Sequence, residues 1–303
     1  MSSLEVQMID IARMKKRVLE DPDCVAGFGD DEIAGVLRTV QPIFEEEKAM
    51  IELDGTVVFI GDIHGDFQTT KAIIQRFFDY DHVVFLGDYI DREPVHWGSI
   101  LTITYLLLLK CCFPQQIVLL KGNHECHSLL PCSPYEFEGE ILQRFGSSAL
   151  HERFIDVFSV MPLMVFSQRV FASHGGIIKG ADLGFLKTID KNDVAAVESL
   201  VWSDPACSLA FRGLGARFTK NDLHGFLDGI HASVFVRGHD YTTLGFSIYD
   251  DRCLTLFSSR GYMEEGNGGI LVARAEKEIS QMKDLFVEDF SSGQWKNYTV
   301  KRL

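Results

Sequence analysis

Between residues 51 and 275 the chain alternates short apolar runs with amphipathic stretches, and on either side of that span the pattern changes. Apolar runs occupy Val57 to Ile60, Val83 to Leu86, Ile117 to Leu120, Ser233 to Val236 and Ile270 to Ala273, with two more around Ser167-Gln168-Arg169 inside Met164 to Ala172. Weaker ones cover Gly245 to Tyr249 and Cys253 to Phe257. These runs are rich in β-branched and aromatic side chains and read as buried strands. Helical spacing fills the intervals: Thr69 to Phe78 with Ile73, Ile74 and Phe77 inward, Ser99 to Lys110, and one region from Glu136 to Phe158. Residues 1–50 read as helical. Asp30-Asp31-Glu32 caps a helix with Ile33, Val36, Leu37 and Val40 on one face, Pro42 interrupts it, and Glu45-Glu46-Glu47 is a solvated face. Cys126 to Pro134 and Lys187 to Phe211 read as loop, Gly266 to Gly269 as a turn, and residues 276–303 as a polar tail with Trp295 and Tyr298 isolated in it. The alternation predicts an α/β architecture, a sheet covered by helices, in a single domain spanning 1–303.

The chemistry sits in the loops at the strand ends. Five runs end in loops that hold Asp62 and His64, Asp88 and Asp91, Asn123 and His124, His174, and His239, and four of the five have a glycine beside the strand end. One Asp-Gly turn alone is surface decoration more often than a site. Residues just beyond strand ends converge on one edge of such a sheet, however, so five loops of this kind predict a shared metal centre. Asp, His and Asn without Cys suit Mn²⁺, Fe²⁺ or Zn²⁺. The donors exceed the needs of one ion, which predicts two, with a carboxylate such as Asp88 able to bridge them. Paired ions clamp the attacking and leaving oxygens and lower the pKa of a shared water, the chemistry of phosphate ester or anhydride hydrolysis.

Composition narrows the partners. A formal charge of −14 over 303 residues opposes nucleic-acid backbones and anionic membrane surfaces. A phosphorylated substrate meets the same repulsion unless ions or arginines reverse the local field. Seven cysteines without Cys-x-x-Cys spacing indicate neither a zinc finger nor a disulfide framework. Met14-Lys15-Lys16-Arg17 has no apolar run behind it, so no secretory signal is read there, and Leu101 to Leu109 is too short to span a bilayer. The expected location is cytoplasmic.

Gly61-Asp62-Ile63-His64-Gly65, Gly87-Asp88-Tyr89-Ile90-Asp91-Arg92 and Gly122-Asn123-His124-Glu125 resemble the three signature motifs of the PPP-family serine/threonine protein phosphatases. The resemblance continues through His174-Gly175-Gly176, Trp202-Ser203-Asp204-Pro205, Arg212-Gly213, Arg237-Gly238-His239 and Tyr262, and covers roughly residues 28–273. It implies a metallophosphoesterase fold, a central β-sandwich of mixed sheets flanked by α-helices, with a core at about 51–275. It also implies hydrolysis of phosphoserine and phosphothreonine by direct attack of a hydroxide shared between two divalent ions (Mn, or Fe and Zn), and phosphorylated proteins and regulatory subunits as partners. One ion would take Asp62, His64 and Asp88, and the other Asp88, Asn123, His174 and His239. His124 would protonate the leaving alkoxide with Asp91 orienting it. Arg92 and Arg212 would hold phosphate oxygens beside Tyr262, with Arg217 the nearby alternative to Arg212.

The departures from the family lie near the substrate. Glu93-Pro94 stands where the family has Gly after Asp-Arg, Lys121 where it has Arg, and Ser258-Ser259-Arg260-Gly261-Tyr262-Met263 where it has Ser-Ala-Pro-Asn-Tyr-Cys. Three other readings compete. In dinucleoside polyphosphate hydrolases the third motif ends in Asp rather than Glu125. Broad phosphodiesterases carry Gly-His-x-His where this chain has Gly238-His239-Asp240-Tyr241, and an inactive scaffold would not need the intact donor set.

Overall fold

The computed structural model describes residues 9–210, 212–263 and 269–303. Its strands run, in chain order, β1 (Met50–Leu53), β2 (Val57–Ile60), β3 (His82–Phe85), β4 (Ile117–Leu119), β5 (Met164–Ser167), β6 (Val170–Ser173), β7 (Asp204–Pro205) and β8 (Arg217–Phe218). There follow β9 (Val234–Arg237), β10 (Phe246–Ile248), β11 (Cys253–Thr255), β12 (Leu271–Ala275), β13 (Phe286–Asp289), β14 (Lys296–Asn297) and β15 (Lys301–Arg302). The α-helices are α1 (Ile11–Glu20), α2 (Asp30–Glu46), α3 (Phe67–Phe77), α4 (Gly98–Cys112), α5 (Phe137–Phe145), α6 (Ala149–Ser159), α7 (Leu183–Leu186), α8 (Val194–Val201) and α9 (Lys220–Gly229).

Two mixed sheets face each other, as the resemblance implied. One has six strands in the order β14-β13-β12-β2-β3-β4, the other seven in the order β1-β5-β6-β9-β11-β10-β15. Alternate residues of β2 explain why the run is apolar throughout. Val57 and Phe59 point between the sheets with Val84, Val165, Ala172, Val234 and Val236, whereas Val58 and Ile60 point outward under helices α2 to α4. Phe171 and Phe235 do the same on the far sheet, beneath α8 and α9. Each such side chain, fully buried, contributes about 1.5–3 kcal/mol.

Strands β2, β3 and β4 are parallel neighbours, so their carboxyl ends share one edge. Strands β6 and β9 are also parallel, and a bridge between Asp62 and Phe257 joins the two sheets where those ends meet. The five loops that hold Asp62, Asp88, Asn123, His174 and His239 therefore open at one rim of the sandwich.

The structure departs from the sequence reading in several places. The looser section expected from Lys187 to Phe211 holds helix α8 and strand β7, since Ala196, Val197, Leu200 and Val201 are buried on one side of α8. Helix α2 continues through Pro42 to Glu46. Proline in a helix interior costs about 3 kcal/mol, but Pro42 lies on the exposed face, while Val36, Leu37, Val40 and Phe44 are fully buried on the other and hold the helix together. The single helical region expected from 136 to 158 is two helices, because Gly146 adopts a left-handed conformation (φ 71°) and caps α5. The polar tail contributes β13, β14 and β15 to both sheets, and Trp295 packs its ring 4.9 Å from Phe77 and 4.6 Å from Phe290. Its apolar residues Ile279, Met282, Leu285 and Val287 enter the core between the sheets singly, so no periodicity announced them. Of the expected turn at 266–269 only Gly269 is among the described residues, and residues 1–8 and 211 also lie outside them. Among the described residues no helix is long and apolar enough to cross a membrane.

Candidate active site and metal centre

The loops at the rim are held in conformations that ordinary residues avoid. His64 (φ 43°), Asp88 (φ 55°), Asp91 (φ 63°), Arg92 (φ 59°) and His239 (φ 70°) all lie in the left-handed region. Close packing of loop on loop imposes this. The amides of Ile63 and His64 donate to the Asp88 carbonyl at 3.1 and 2.8 Å, and that of Gly65 to the Tyr89 carbonyl at 2.8 Å. At Gly122 a Cβ atom would sit 2.3 Å from the Asp88 carboxylate, so only glycine allows that approach. Glu125 ties the loops together. Its Oε2 accepts from the Asp88 and Gly122 amides and its Oε1 from the Tyr89 amide, each at 2.9 Å. The sequence reading used Glu125 only to tell families apart; its place directly after Asn123-His124 was the one signal of this role.

Asp62, His64, Asp88, Asn123, His174 and His239 come together, all buried. Asp88 faces both ways: its Oδ2 lies 3.5 Å from His64 Nε2 and its Oδ1 3.4 Å from His174 Nε2. Asp62 Oδ2 lies 3.9 Å from His64 Nε2. On the other side His174 Nε2, His239 Nδ1 and Asn123 Oδ1 are mutually 2.9–3.2 Å apart. Donor atoms about 2.0–2.2 Å from one ion stand roughly 3.0–3.5 Å from each other, so this spacing fits a shared cation. Ring orientation agrees. The Nδ1 atoms of His64 and His174 lie 2.9 and 3.1 Å from the carbonyls of Ile90 and Leu86, which takes up that nitrogen's proton and leaves Nε2 as the donor atom.

Electrostatics point the same way. Burial pushes the Asp62 carboxyl up to about 6, opposed by His174 and reinforced by Asp88. Burial acts on Asp88 in the same sense, but the His174 and His124 charges outweigh it and hold the carboxyl well below its usual range. Burial lowers His64 and His239 well below the imidazole range, so both keep a free lone pair. Buried carboxylates beside neutral imidazoles call for added positive charge, and the donor set of oxygen and nitrogen suits Mn²⁺, Fe²⁺ or Zn²⁺.

His124 and Asp91 sit beside this cluster. His124 Nδ1 is 2.5 Å from Asp91 Oδ2, and His124 Nε2, buried and without a hydrogen-bond partner, lies 4.0 Å from Asp88 Oδ2. Asp91 Oδ1 accepts from the amides of Glu136 and Phe137 at 2.7 and 2.8 Å, so the start of α5 fixes the pair.

Arg92 donates to the Tyr262 hydroxyl at 2.5 Å, and the Tyr262 ring lies 5.5 Å from that of His64. Arg212 donates to Asp204 Oδ2 at 2.8 Å and to the His239 carbonyl at 2.6 Å. Arg217 instead turns to the carbonyls of Ser208 and Ala210, so Arg212 is the arginine at the rim. Asp204 also pairs with the fully buried Arg237 at 2.7 Å, which makes it the anchor for two arginines, a role the sequence did not reveal.

The departures have structural partners. Arg260 lies against Asp66, the residue that caps α3, through its amide at 2.9 Å and a two-pronged guanidinium contact at 2.5–3.1 Å. Two residues later Tyr262 touches Arg92, so this pair fixes the wall that carries Arg92. Replacing Arg260 with alanine is expected to raise KM for a phosphorylated peptide about tenfold with little change in kcat, while lysine restores part of the loss; steady-state kinetics check it. Glu93 accepts from Ser99 Oγ at 2.9 Å, and the same oxygen accepts from the Asp91 amide at 3.0 Å. Glu93 is thus tethered beneath the Asp91 loop.

Nearby Glu140 is pushed up to about 8, first by burial and then by the charge of Glu93. Between the ordinary carboxylate range and about 8 the unfolded chain ionises while folded Glu140 keeps its proton, so this group lowers stability as pH rises. Glu140→Gln should raise the midpoint of urea unfolding at alkaline pH and change it little at acid pH.

Residues 55–242 match the model of the calcineurin-like phosphoesterase family. The chain belongs to that family, and its mixed sheets flanked by helices are the fold of that class. Among curated relatives it is similar to the serine/threonine-protein phosphatase 4 catalytic subunit of Kluyveromyces lactis, 27% identical over 270 residues, 85% of this chain and 86% of that protein. The protein of the same name from Eremothecium gossypii is 27% identical over 290 residues, 86% of this chain and 92% of its own length. These relatives bear out the resemblance read from the motifs. Among solved structures, a Saccharomyces cerevisiae protein serine/threonine phosphatase shares the fold with a TM-score of 0.77 at 20% identity, covering 92% of this chain and 96% of that one. A cold-active protein-tyrosine phosphatase from a Shewanella species shares it with a TM-score of 0.60 at 15% identity, covering 85% and 84%.

Proposed function

We propose that this chain is a metal-dependent protein phosphatase that hydrolyses phosphoserine and phosphothreonine monoesters in cytoplasmic proteins, working with regulatory subunits. One observation carries the reading: a buried two-sided donor cluster lies beside two arginines and an Asp–His pair whose outer ring nitrogen has no partner. Serine/threonine phosphatases among the relatives support the substrate class.

Asp62, His64 and Asp88 would hold one divalent ion, and Asp88, Asn123, His174 and His239 a second, manganese or an iron and zinc pair. Such ions, when bound, neutralise ester oxygens and lower the pKa of water. The chain's own groups do the rest. Arg92 and Arg212 grip the phosphate oxygens with planar guanidinium forks, and Tyr262 keeps Arg92 in place. His124 Nε2 carries the proton that the serine or threonine alkoxide needs on leaving, and Asp91 accepts from Nδ1 to keep that tautomer and orientation.

The test compares a phosphothreonine peptide, a phosphotyrosine peptide and a dinucleoside tetraphosphate with Mn²⁺-loaded protein, before and after chelation. Fastest turnover of phosphothreonine, lost on chelation and regained with Mn²⁺, is expected. Preference for the dinucleotide would move the reading to polyphosphate hydrolysis. Absence of all turnover with two ions bound would mark a scaffold.

A further inference from the structure

On the side of His124 away from the donor cluster lies a thiol that the proposed reaction does not use. Cys132 Sγ is 3.7 Å from His124 Nδ1 and 3.4 Å from His127 Nδ1, and His124 Nδ1 is 2.5 Å from Asp91 Oδ2. Cys132, His124 and Asp91 are buried, while His127 is partly exposed at the mouth of the cluster, its ring stacked on Tyr135 at 3.8 Å. We propose that Cys132, His127, His124 and Asp91 form an inhibitory site for a thiophilic divalent cation such as Zn²⁺, separate from the cluster centred on Asp88.

Geometry and donor chemistry both favour it. Around tetrahedral zinc, with sulfur at about 2.3 Å and nitrogen at about 2.0–2.1 Å, sulfur and nitrogen stand about 3.5 Å apart. Cys132 Sγ already lies at 3.4 and 3.7 Å from the two imidazole nitrogens. The Asp91–His124 contact must open, by somewhat under 1 Å, and the Cys132 amide, which donates to His127 Nδ1 at 3.2 Å, must release that nitrogen as His127 moves in to join Asp91, His124 and Cys132, exchanging hydrogen bonds for metal bonds. One sulfur, two nitrogens and one oxygen select Zn²⁺, Cd²⁺ or Co²⁺ over Mn²⁺ or Mg²⁺, whereas the cluster at Asp88 contains no sulfur. Partly exposed His127 offers the way in. Binding displaces the thiol proton of Cys132 and the Nδ1 proton of His124 to solvent. It also draws His124 and Asp91 apart from their partnership, and that is the inhibition.

The proposal rests on the phosphatase reading for its consequence but not for its detection. With Mn²⁺-loaded protein in excess Mn²⁺, added Zn²⁺ should inhibit hydrolysis of a phosphothreonine peptide, and elemental analysis should find zinc added without loss of manganese. Cys132→Ser and His127→Ala should each raise the half-inhibitory concentration about tenfold or more while keeping basal kcat. Independently of activity, Cd²⁺ should produce an ultraviolet thiolate-to-metal band that disappears in Cys132→Ser. Equal inhibition of the Cys132→Ser variant, zinc replacing manganese, or a band that survives the substitution each overturns the site. If the protein shows no hydrolysis at all, the phosphatase reading fails while the Cd²⁺ band still decides the site.

Discussion

Asp88→Ala is expected to abolish hydrolysis, because this carboxylate faces both halves of the donor cluster, 3.5 Å from His64 and 3.4 Å from His174. Metal-assisted charge stabilisation is worth several kcal/mol, and a loss of about 4 kcal/mol corresponds to roughly a thousandfold in rate. The variant should also hold fewer ions by elemental analysis, since neither set is complete without it. Asp88 Oδ1 accepts the His124 amide at 3.1 Å as well, so a thermal melt must accompany the kinetics to show that the fold persists. A folded variant that keeps both ions and near-normal turnover would refute the bridging role.

The loops that build this cluster could be read because each follows an uninterrupted apolar run such as Val57 to Ile60, and parallel strands bring such ends to one rim. What could not be read is which side chains hold the loops in place. Asp66 and Arg260 are 194 positions apart, Asp204 and Arg237 33, and nothing in local spacing links either pair. Glu125 shows the same limit from the other side: it stood in view, but its three amide partners belong to loops that meet only in the fold. The strands of the tail escaped notice because Ile279, Met282 and Leu285 enter the core one at a time from a charged stretch. Pro42 misled because burial of the opposite face outweighs a local preference.

His124→Asn should keep the ions and lose the reaction with alkoxide leaving groups. The loss expected for a positioned proton donor is about a hundredfold to ten-thousandfold. It should be large for a phosphothreonine peptide and small for p-nitrophenyl phosphate, whose leaving group departs without a proton. Burial opposes the charged form of His124, but the Asp88 charge and the Asp91 hydrogen bond outweigh it and push the group up to about 10. The ring therefore stays protonated through neutral pH, and the rate should fall as pH rises through the folded value. Cations bound at Asp88 would take part of that support, so the alkaline limb should fall at or below about 10. Its absence in the asparagine variant, with peptide substrate, is the signature of a proton donor. Equal losses on both substrates would instead mean that His124 serves only to place other groups.

The left-handed backbone of His64, Asp88, Asp91, Arg92 and His239 also bears on how this protein can be engineered. Each such residue carries roughly 1–3 kcal/mol of conformational strain, and the strain sits beside carboxylates packed against one another. The most reactive rim is thus the part of the molecule least at rest. Selection for heat resistance alone would erode it first, since glycine at any of these five positions relieves the backbone while discarding the side chain. Stabilising changes are better sought in the distant helices and sheet faces, with the rim left as tense as it is.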